Sequence, residues 1–551
     1  MRIKAINLKE EGTLEFGDFN VIIGGNSVGK TTLMLELFDR ADNRQRSKWY
    51  WFKQNEPIQY EFTDPIKDLQ LLFGSMAWQN DGANRYYYSQ SLKNSQGDID
   101  NDGRYRFNSE EHKTVSDLIE KANKTEAENL LRQWKYARPL ITFASCEARL
   151  KLPSSTAITA LSQSPQNAVN VLYRNKVLFR QIDEKIHKQF NMHLAMLDHA
   201  RTQLDLGLSQ DTSPRFEDEA EDLQKEFLRI DTWKDSNFFS IEAVGHGIRS
   251  MVNMLMSLLD PVSEVVFIDE PELYIYPAQK RWLGKQLVNL AQIQGKQVFM
   301  VTHDPIILQG ILDEHCNTHF LRIDIGEDRH RILKECTLQG IDEVSARRNQ
   351  DSYLQGLFYQ RCIAVEGATD RGFYQTMLEE LEETRIENKD VGFVACGGKG
   401  ASVNVAYINS QVGLKCTFIY DFDVLLFDIP VLRTVSGKIG KTSNHEKLDA
   451  LESFLRKTFT DEKSIKDTGA HKQGLGNQFV RDNLAYFQDA INELKLCGIF
   501  IVPNGTLESW APEVEEKTRF AEIAPAIVIN TAALKEPLKG FLGVVLAFLG
   551  C

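Results

Sequence analysis

The feature that most constrains this chain is a glycine-rich segment between a predicted strand and a predicted helix. Residues Gly24–Thr31 read Gly-Gly-Asn-Ser-Val-Gly-Lys-Thr and directly follow the predicted strand Asn20–Ile23. They fit the pattern G-x-x-x-x-G-K-[ST], and the helix is predicted to run from Lys30 to about Ala41. The glycines let main-chain N–H groups close around phosphate oxygens, and the helix N-terminus adds its dipole. This setting favours a phosphate-binding loop (P-loop) over a chance glycine-rich turn.

The P-loop pattern assigns a role in ATP binding to each of its polar residues. Lys30 is expected to reach the β- and γ-phosphates, and the Thr31 hydroxyl is expected to bind Mg²⁺. The other residues expected to bind the nucleotide are Gly24, Asn26, Gly29 and Thr32.

A second set of candidate residues follows two later strands. The predicted strand Glu264–Ile268, which is apolar after its first residue, is followed by Asp269 and Glu270. Asp269 is expected to bind Mg²⁺ through water, and Glu270 to orient or deprotonate the attacking water. The strand Gln297–Val301 is followed shortly by His303, which could contact the γ-phosphate. Beside a P-loop, these residues predict ATP hydrolysis.

These motifs resemble those of one branch of P-loop ATPases. The run Asp269–Leu273, with Pro277 after it, is similar to the Walker B and D-loop region of SMC/RecF-like ABC ATPases. Residues Ala243–Ser250 resemble the signature motif in their order along the chain, although they depart from the usual Leu-Ser-Gly-Gly. The resemblance implies that Gly245 and Gly247 face ATP bound to a partner subunit, and hence a homodimer or higher homo-oligomer. Ser145–Arg149 is a candidate Q-loop.

Carboxylates follow two strands in the last third of the chain. Ile363–Val365 precedes Glu366, with Asp370 four residues later, and Thr417–Tyr420 precedes Asp421 and Asp423. Strand alternation predicts that Asp421 and Asp423 point to the same side. Carboxylates this close repel one another unless a divalent cation lies among them. Such a site equips a protein for phosphodiester cleavage.

The order Glu-Gly, then Asp-x-Asp, resembles the Toprim fold of topoisomerases, primases and nucleases. Gly397–Gly400 is similar to its second strand–turn, and Val502–Glu508 to its closing strand and glutamate. Together with the ATPase motifs, this order resembles the OLD (overcoming lysogenization defect) nucleases, including Gabija-type anti-phage effectors. The resemblance implies DNA cleavage or nicking with Mg²⁺ or Mn²⁺, and Glu508 as a further ligand. It also implies a C-terminal lysine near the scissile phosphate, for which the candidates are Lys517, Lys535 and Lys539.

The order of predicted elements divides the chain into two α/β domains. Residues 1–345 are predicted to form an ABC-type ATPase domain with a β-lobe at about 42–110 and a helical insertion at about 110–235. Residues 346–551 are predicted to form the Toprim domain, with strands near 362–365, 391–395, 416–420 and 498–502. Strands alternating with helices predict a parallel sheet in each domain.

Composition and net charge narrow the possible class and location of the protein. The net charge of −13 argues against a simple nucleic-acid coat protein, and the eight scattered cysteines indicate no zinc site or disulfide framework. No apolar run is long enough to span a membrane, and the start lacks signal-peptide features, so a cytoplasmic protein without a membrane partner is expected. The segment Arg433–Lys472 carries nine Lys/Arg against six Asp/Glu, which fits a solvated surface or a phosphate track equally well.

Two functions remain open from the sequence. The first is an ATP-controlled, metal-dependent DNA nuclease in anti-phage defence. The second is an ATP-switched sensor or scaffold whose Toprim domain binds a partner or nucleic acid without cutting. The carboxylates favour the enzyme. The aromatic–basic runs Lys48–Lys53 and Arg85–Tyr88 fit a half-buried β-lobe better than base stacking. Whether a second defence component acts with this chain stays open.

Overall fold

The computed structural model describes most of the chain. The described residues are 1–9, 12–25, 28–41, 50–52, 57–74, 84–88, 104–133, 140–150, 155–157, 168–199, 203–209, 238–241, 243–260, 262–314, 318–325, 331–336, 350–381, 391–439, 445–516 and 519–550. The chain folds into two units. The first comprises Met1–Ile22 and Gly29–His319, and the second comprises Ile23–Val28 and Phe320–Cys551.

The strands up to His319 include short antiparallel pairs and the strands of a central sheet. They are β1 (Arg2–Asn7), β2 (Thr13–Glu15), β3 (Phe19–Gly24), β4 (Gln59–Glu61), β5 (Asn84–Tyr88), β6 (Arg104–Asn108), β7 (Ile141–Ala144), β8 (Ser155–Ala157), β9 (His193–His199), β10 (Gln203–Ser209), β11 (Phe238–Ser240), β12 (Val265–Asp269) and β13 (Gln297–Val301).

The helices of the same part of the chain are mostly amphipathic. They are α1 (Lys30–Ala41), α2 (Pro65–Gly74), α3 (Ser109–Glu120), α4 (Lys124–Leu131), α5 (Ala168–Arg174), α6 (Lys176–Phe190), α7 (His246–Leu259), α8 (Pro277–Gln294) and α9 (Pro305–Leu312), with a 3₁₀ turn at Ala148–Leu150.

The centre of the first unit is a parallel sheet. Strand β12 pairs in parallel with β7 on one side and with β13 on the other, and β13 pairs in parallel with β3. Val265–Ile268 and Val298–Val301 are fully buried. Continuous apolar runs of this kind are typical of parallel strands covered on both faces. Since the strands are parallel, the residues that follow β7, β12 and β13 meet at one edge.

The region predicted to be a β-lobe and a helical insertion is more mixed than expected. Strands β5 and β6 form the predicted hairpin, but helix α2 lies in the same region and was not predicted. Within the insertion, helix was predicted except for a strand at Leu140–Ala144, which agrees with β7. The prediction of helix is wrong at β8, β9 and β10, where β10 pairs antiparallel with β8 and, over seven residues, with β9. Gln203–Ser209 alternates leucine with polar residues or glycine, which is the pattern of a strand rather than of a helix, so this strand could have been predicted from its own sequence. Residues 210–237, predicted to be helical and exposed, lie outside the described residues.

The second unit opens with an antiparallel pair and continues as an α/β sheet. Its strands are β14 (Thr318–Ile325), β15 (Arg331–Cys336), β16 (Arg361–Val365), β17 (Val391–Ala395), β18 (Lys415–Tyr420) and β19 (Ile499–Ile501). Its helices are α10 (Gln350–Gln355), α11 (Ala368–Leu381), α12 (Ser402–Gln411), α13 (Val424–Phe427), α14 (Ile429–Lys438), α15 (Glu446–Thr458), α16 (Glu462–Asp467), α17 (Ala470–Gln473), α18 (Gln478–Asp482), α19 (Leu484–Leu496), α20 (Phe520–Asn530) and α21 (Ala532–Leu549), with 3₁₀ turns at Gly356–Phe358, Gly474–Gly476 and Leu507–Trp510.

The sheet of the second unit has the order β17–β16–β18–β19, and every neighbouring pair is parallel. Helices α11, α20 and α21 cover one face through a core that includes Phe373, Met377, Trp510, Phe520 and Leu542. The predicted strands of this region agree with β16 to β19. No helix in the described part of the chain is long and apolar enough to cross a membrane.

The prediction that strand alternation orients Asp421 and Asp423 is wrong. Strand β18 ends at Tyr420, so Asp421 and Asp423 lie beyond it, and Asp423 has helical torsion angles (φ −63°, ψ −21°) at the start of α13. Strand alternation therefore does not orient these two carboxylates. The Phe422 N–H donates to the Gly505 carbonyl at 2.6 Å, which fixes the turn between them.

Candidate functional site

The P-loop threonine lies beside the first carboxylate of the Asp269–Glu270 pair. Lys30 opens helix α1 and is 8% exposed. The hydroxyl of the next residue, Thr31, donates to Asp269 Oδ1 at 3.4 Å. Burial raises the pKa of Asp269 to about 6; the Glu270 carboxylate adds to the rise, and the Arg149 guanidinium opposes it. A carboxylate in such surroundings is stabilised by a nearby cation.

The other P-loop residues lie around the start of the same helix. Gly24 is the last residue of β3. The Gly29 carbonyl accepts the helix hydrogen bond from the Leu33 N–H at 2.9 Å, and Thr32 follows in the first turn. Asn26 lies outside the described residues.

Glu270 has an unusual backbone conformation. Its φ of 46° lies in the left-handed region, which few residues other than glycine adopt. Its N–H donates to the Val301 carbonyl at 2.9 Å, and its own carbonyl accepts a hydrogen bond from Arg149 Nη2 at 3.0 Å. Contacts from two neighbouring strand ends therefore hold the residue in place. Backbone strain of this kind often accompanies functional residues.

His303 lies between two glutamates. Its Nδ1 is 3.5 Å from Glu270 Oε1 and 3.2 Å from Glu272 Oε1. Glu272 also accepts hydrogen bonds from the His303 N–H at 2.9 Å and from the Thr302 hydroxyl at 3.0 Å. Burial raises the pKa of Glu272, and the hydrogen bond from His303 opposes the rise. Glu272 thus orients the histidine, a role that sequence reasoning missed even though the residue stands two positions after Glu270.

The candidate Q-loop lies at the same edge of the sheet. Ser145–Arg149 directly follows β7, and the Cys146 thiol donates to the Asp269 carbonyl at 3.7 Å. Arg149 is 1% exposed and contacts the Cys146 sulfur at 3.3 Å as well as the Glu270 carbonyl. Sequence reasoning gave Arg149 no role of its own, because nothing in the local pattern shows which strand end it meets.

The candidate signature segment contacts its own chain. Gly245 is exposed and precedes α7 with φ −58° and ψ 147°. A Cβ atom at Gly247 would lie 2.5 Å from the Tyr274 carbonyl oxygen, so this close approach requires glycine. The His246 and Tyr274 rings meet edge to face at 5.9 Å. A substitution at Gly247 would therefore disturb the loop after Glu270 in the same subunit.

In the second unit, the predicted acidic residues follow parallel strands at one edge of the sheet. Glu366 follows β16, Asp421 and Asp423 follow β18, and Glu508 lies in the 3₁₀ turn after β19. The Asp421 N–H donates to Glu366 Oε1 at 3.1 Å. Asp370 is in the first turn of α11, where its Oδ2 accepts the Gly367 N–H at 3.0 Å.

The electrostatics show that these carboxylates influence one another. Burial raises the pKa of Asp421 to about 9, with further increases from Glu366, Asp370, Asp423 and Glu508. Burial also raises the pKa of Glu366 to about 7, where Lys399 opposes the rise and Asp423 adds to it. The pKa of Asp370 rises to about 6, chiefly through burial. The five carboxylate residues Glu366, Asp370, Asp421, Asp423 and Glu508 are called the acidic cluster below.

A lysine that was not among the predicted site residues, Lys399, lies next to the acidic cluster. Lys399 Nζ is 2.5 Å from Asp423 Oδ2 and 3.4 Å from Asp428 Oδ2. The other oxygen of this carboxylate, Asp423 Oδ1, is buried and has no hydrogen-bond partner among the described residues. Sequence reasoning noted the loop Gly397–Gly400 but gave no role to Lys399 or Asp428.

Comparison with known families covers both units. Residues 19–309, more than half of the chain, match the family described as "AAA domain, putative AbiEii toxin, Type IV TA system". Residues 357–423 match "Overcoming lysogenization defect protein-like, TOPRIM domain". The chain belongs to the OLD family. Its ATPase domain is followed by an OLD-like Toprim domain, so the predicted family and the predicted α/β fold class of a P-loop ATPase joined to Toprim are confirmed.

Two curated relatives of this OLD-family chain are named nucleases. The Old nuclease of Escherichia phage P2 is 25% identical over 330 residues, covering 55% of this chain and 54% of the relative. The OLD nuclease of Thermus scotoductus (strain ATCC 700910 / SA-01) is 25% identical over 170 residues, covering 30% and 31%. The chain thus spans about half of the first relative's length and about a third of the second's.

Solved SMC head domains are distant matches. A SmcHead bound to the C-winged helix domain of ScpA matches 61% of this chain at 11% identity with a TM-score of 0.32. The SMC head domain from Thermotoga maritima matches 61% at 9% identity with a TM-score of 0.28. TM-scores this low do not support a functional comparison between this chain and the SMC head domains.

The Toprim fold implies a divalent metal, and the donor chemistry of the acidic cluster fits one. Its oxygen donors are those that Mg²⁺ and Mn²⁺ prefer, and their mutual repulsion is relieved by a cation. The buried Asp423 Oδ1 has no hydrogen-bond partner among the described residues and is free to accept a cation. As the side chains stand, no group of three His, Cys, Asp or Glu residues within the described ranges is arranged to hold an ion.

Two of the three candidate C-terminal lysines lie within the described residues. Lys517 lies outside the described residues, and Lys535 and Lys539 are on α21. In the portion of the chain that is described, neither of the latter forms an ion pair with the acidic cluster. Their role in this OLD-family protein stays a prediction.

Proposed function

We propose that this protein is an ATP-binding and ATP-hydrolysing, metal-dependent DNA endonuclease or nickase. The observation that carries the proposal is the acidic cluster at one edge of a parallel Toprim sheet, where burial and, after it, four other carboxylates raise the pKa of Asp421. Membership of the OLD family and the names of the curated relatives support the same conclusion.

The residues proposed to hold Mg²⁺ or Mn²⁺ for cleavage are Glu366, Asp370, Asp421, Asp423 and Glu508. Bound metal would supply an activated water and a positive charge at the leaving oxygen. The chain's own contribution is to place the oxygen donors. The Asp421 N–H orients Glu366, and the Gly367 N–H orients Asp370. Partial burial of the cluster reduces its contact with bulk water and strengthens its interactions with charge.

In the ATPase domain, each residue near the Asp269–Glu270 pair has a proposed task. Lys30 binds the β- and γ-phosphates, while Thr31 and Asp269 would hold Mg²⁺. Glu270 accepts a proton from the attacking water. His303, oriented by Glu272, reports the γ-phosphate. Gly245 and Gly247 are proposed to face ATP in a partner subunit, which makes the protein a homodimer or higher homo-oligomer.

The biological setting belongs to the same proposal. DNA of phage or plasmid origin is the proposed substrate, anti-phage defence the proposed role, and the cytoplasm the proposed location. The phage origin of one curated nuclease relative fits a role in conflict between phages or between phage and host.

Incubation of the purified full-length chain with supercoiled plasmid and with single-stranded DNA tests the proposal. Cleavage or nicking should require Mn²⁺ or Mg²⁺, should stop with EDTA, and should be lost in Asp421→Asn. Asp467→Asn removes one acidic charge from an exposed position on α16 and serves as the matched control. Cleavage that persists in Asp421→Asn would place the nuclease centre elsewhere.

One observation favours the second candidate function, an ATP-switched sensor or scaffold whose Toprim domain does not cut. The Lys399 ammonium already neutralises Asp423. Under this alternative the wild-type protein would bind DNA or a partner in an ATP-dependent way, yet leave plasmid intact at every metal concentration.

A further inference from the structure

Lys399 is delivered to the acidic cluster by a tightly fixed loop. The N–H groups of Gly397 and Gly398 donate to the Glu366 carbonyl at 2.9 and 2.8 Å. These glycines have φ values of 81° and 115°, a conformation that residues with side chains rarely adopt. The loop after β17 is therefore hydrogen-bonded to the end of β16, and these bonds fix the position of Lys399.

The ammonium group of Lys399 has two carboxylates within reach. Its Nζ is 2.5 Å from Asp423 Oδ2 and 3.4 Å from Asp428 Oδ2. The Lys399 side chain is 18% exposed and that of Asp423 is 28% exposed, so water screens the closer pair less than a surface pair. The Asp428 side chain is 39% exposed and remains accessible to the ammonium group.

Lys399 and a divalent cation need the same oxygen. A metal bound by the acidic cluster would take lone pairs of Asp423, and a positive ion next to the ammonium group would be repelled by it. We propose that Lys399 competes with the divalent metal for Asp423, so that metal loading moves the ammonium group from Asp423 to Asp428. This inference rests on the proposed metal-dependent function, and it gives Lys399 the role of a positioning residue that sets metal affinity.

Isothermal titration of the full-length protein with Mn²⁺ alone, without nucleotide or DNA, tests the inference. Lys399→Met should bind Mn²⁺ at least about tenfold more tightly than the wild type, since a hydrogen bond to a charged group is worth roughly one to two factors of ten. The heat should disappear in Lys399→Met/Asp421→Asn, which assigns it to the acidic cluster. Lys463→Met removes an equal charge from an exposed position on α16 and should change the affinity by less than about twofold.

Asp428→Asn tests the second position of the ammonium group. If Asp428 receives Lys399 when metal binds, Asp428→Asn should weaken Mn²⁺ binding several-fold in the wild-type background and much less in the Lys399→Met background. Equal weakening in both backgrounds means that Asp428 acts only through its charge, which overturns the proposed movement.

The outcomes separate the inference from the proposed function. Unchanged or weaker Mn²⁺ binding in a folded Lys399→Met protein overturns the competition while metal-dependent cleavage stands. No Mn²⁺ binding in either protein overturns the metal function, and the inference with it. Circular dichroism establishes folding, and Lys399→Gln replaces Lys399→Met if the latter does not fold.

Discussion

The Arg149 guanidinium donates a hydrogen bond to the Glu270 carbonyl at 3.0 Å, and Glu270 has a φ of 46°. The two residues are 121 positions apart in the chain, yet both follow neighbouring parallel strands. Arg149 thus holds the backbone of the proposed general base without reaching its carboxylate. We expect this contact to make Arg149 a positioning residue for the proposed ATP hydrolysis.

Replacing Arg149 should affect turnover more than nucleotide binding. Arg149→Met keeps most of the buried volume but removes the hydrogen bond to Glu270, so kcat for ATP should fall roughly 10- to 100-fold. KM for ATP should stay within about twofold, since the side-chain hydrogen bonds of Arg149 within the described residues go to Cys146, Met254 and Glu270. Steady-state phosphate release gives both constants.

Arg149→Lys should recover part of kcat, because a lysine can still donate to the Glu270 carbonyl. Arg132→Met is the matched control: it breaks an exposed pair with Glu128 on α4 and should leave kcat unchanged. Equal losses in kcat and in the fraction of folded protein would indicate a purely structural role for Arg149.

Substitutions of Glu270 and Lys30 should affect different steps, ATP hydrolysis for Glu270 and ATP binding for Lys30. Glu270→Gln keeps the pocket and loses the base, so ATP should bind normally and hydrolysis should slow by about 10²- to 10⁴-fold. Lys30→Ala should weaken ATP binding itself. Fluorescent-nucleotide titration and phosphate release measure the two steps, and normal hydrolysis by Glu270→Gln would refute the assignment of the base.

A trans-acting signature segment is best tested at Gly245. Gly247 is unsuitable because any side chain there meets the Tyr274 carbonyl of the same subunit, whereas a Cβ atom at Gly245 would meet no heavy atom within 4 Å from the described residues beyond its chain neighbours. Gly245→Trp should block hydrolysis without removing ATP binding. A mixed dimer with Lys30→Ala contains one intact composite site and should recover up to roughly half of wild-type activity.

The measurement for this pair is the ATPase rate of a purified, doubly tagged mixed dimer, compared with each mutant homodimer. The absence of recovery would argue against a signature acting in trans. A strictly monomeric wild type with full activity would rule out the composite site altogether.

Divalent metal should stabilise the Toprim unit. At a Mn²⁺ concentration about 100 times Kd, binding adds about 2.7 kcal/mol, which corresponds to an increase in Tm of the order of 5 °C. Asp421→Asn should remove this increase and should raise Tm in EDTA at pH 7, because Asp421, with a pKa of about 9 in the folded protein, must take up a proton on folding and asparagine need not. Differential scanning calorimetry reports both effects, and an unchanged metal-induced shift in Asp421→Asn would exclude Asp421 as a ligand. Asp467→Asn, on exposed α16, should behave like the wild type.

Much of the fold could be predicted because its signals are local. A parallel strand buried on both faces needs a continuous apolar run, as in Val265–Ile268, and a P-loop needs its glycines at set positions. His193–His199 is the opposite case, because it does not alternate strictly and is stabilised by cross-strand contacts with Gln203–Ser209 that do not exist in a single segment. Gln203–Ser209 does alternate, a local strand signal that the prediction of a helix did not use. The boundary between the domains stays a prediction.

The sequence by itself determined which residues follow the parallel strands, and therefore which carboxylates gather at each sheet edge. It did not determine which side chains meet there. Only the tertiary structure brings Lys399 to Asp423, Glu366 to the Asp421 N–H, and Arg149 to Glu270. The physical reason is that hydrogen bonds and ion pairs act over a few ångströms, and the distances between loops are set by packing of the whole sheet rather than by any one segment.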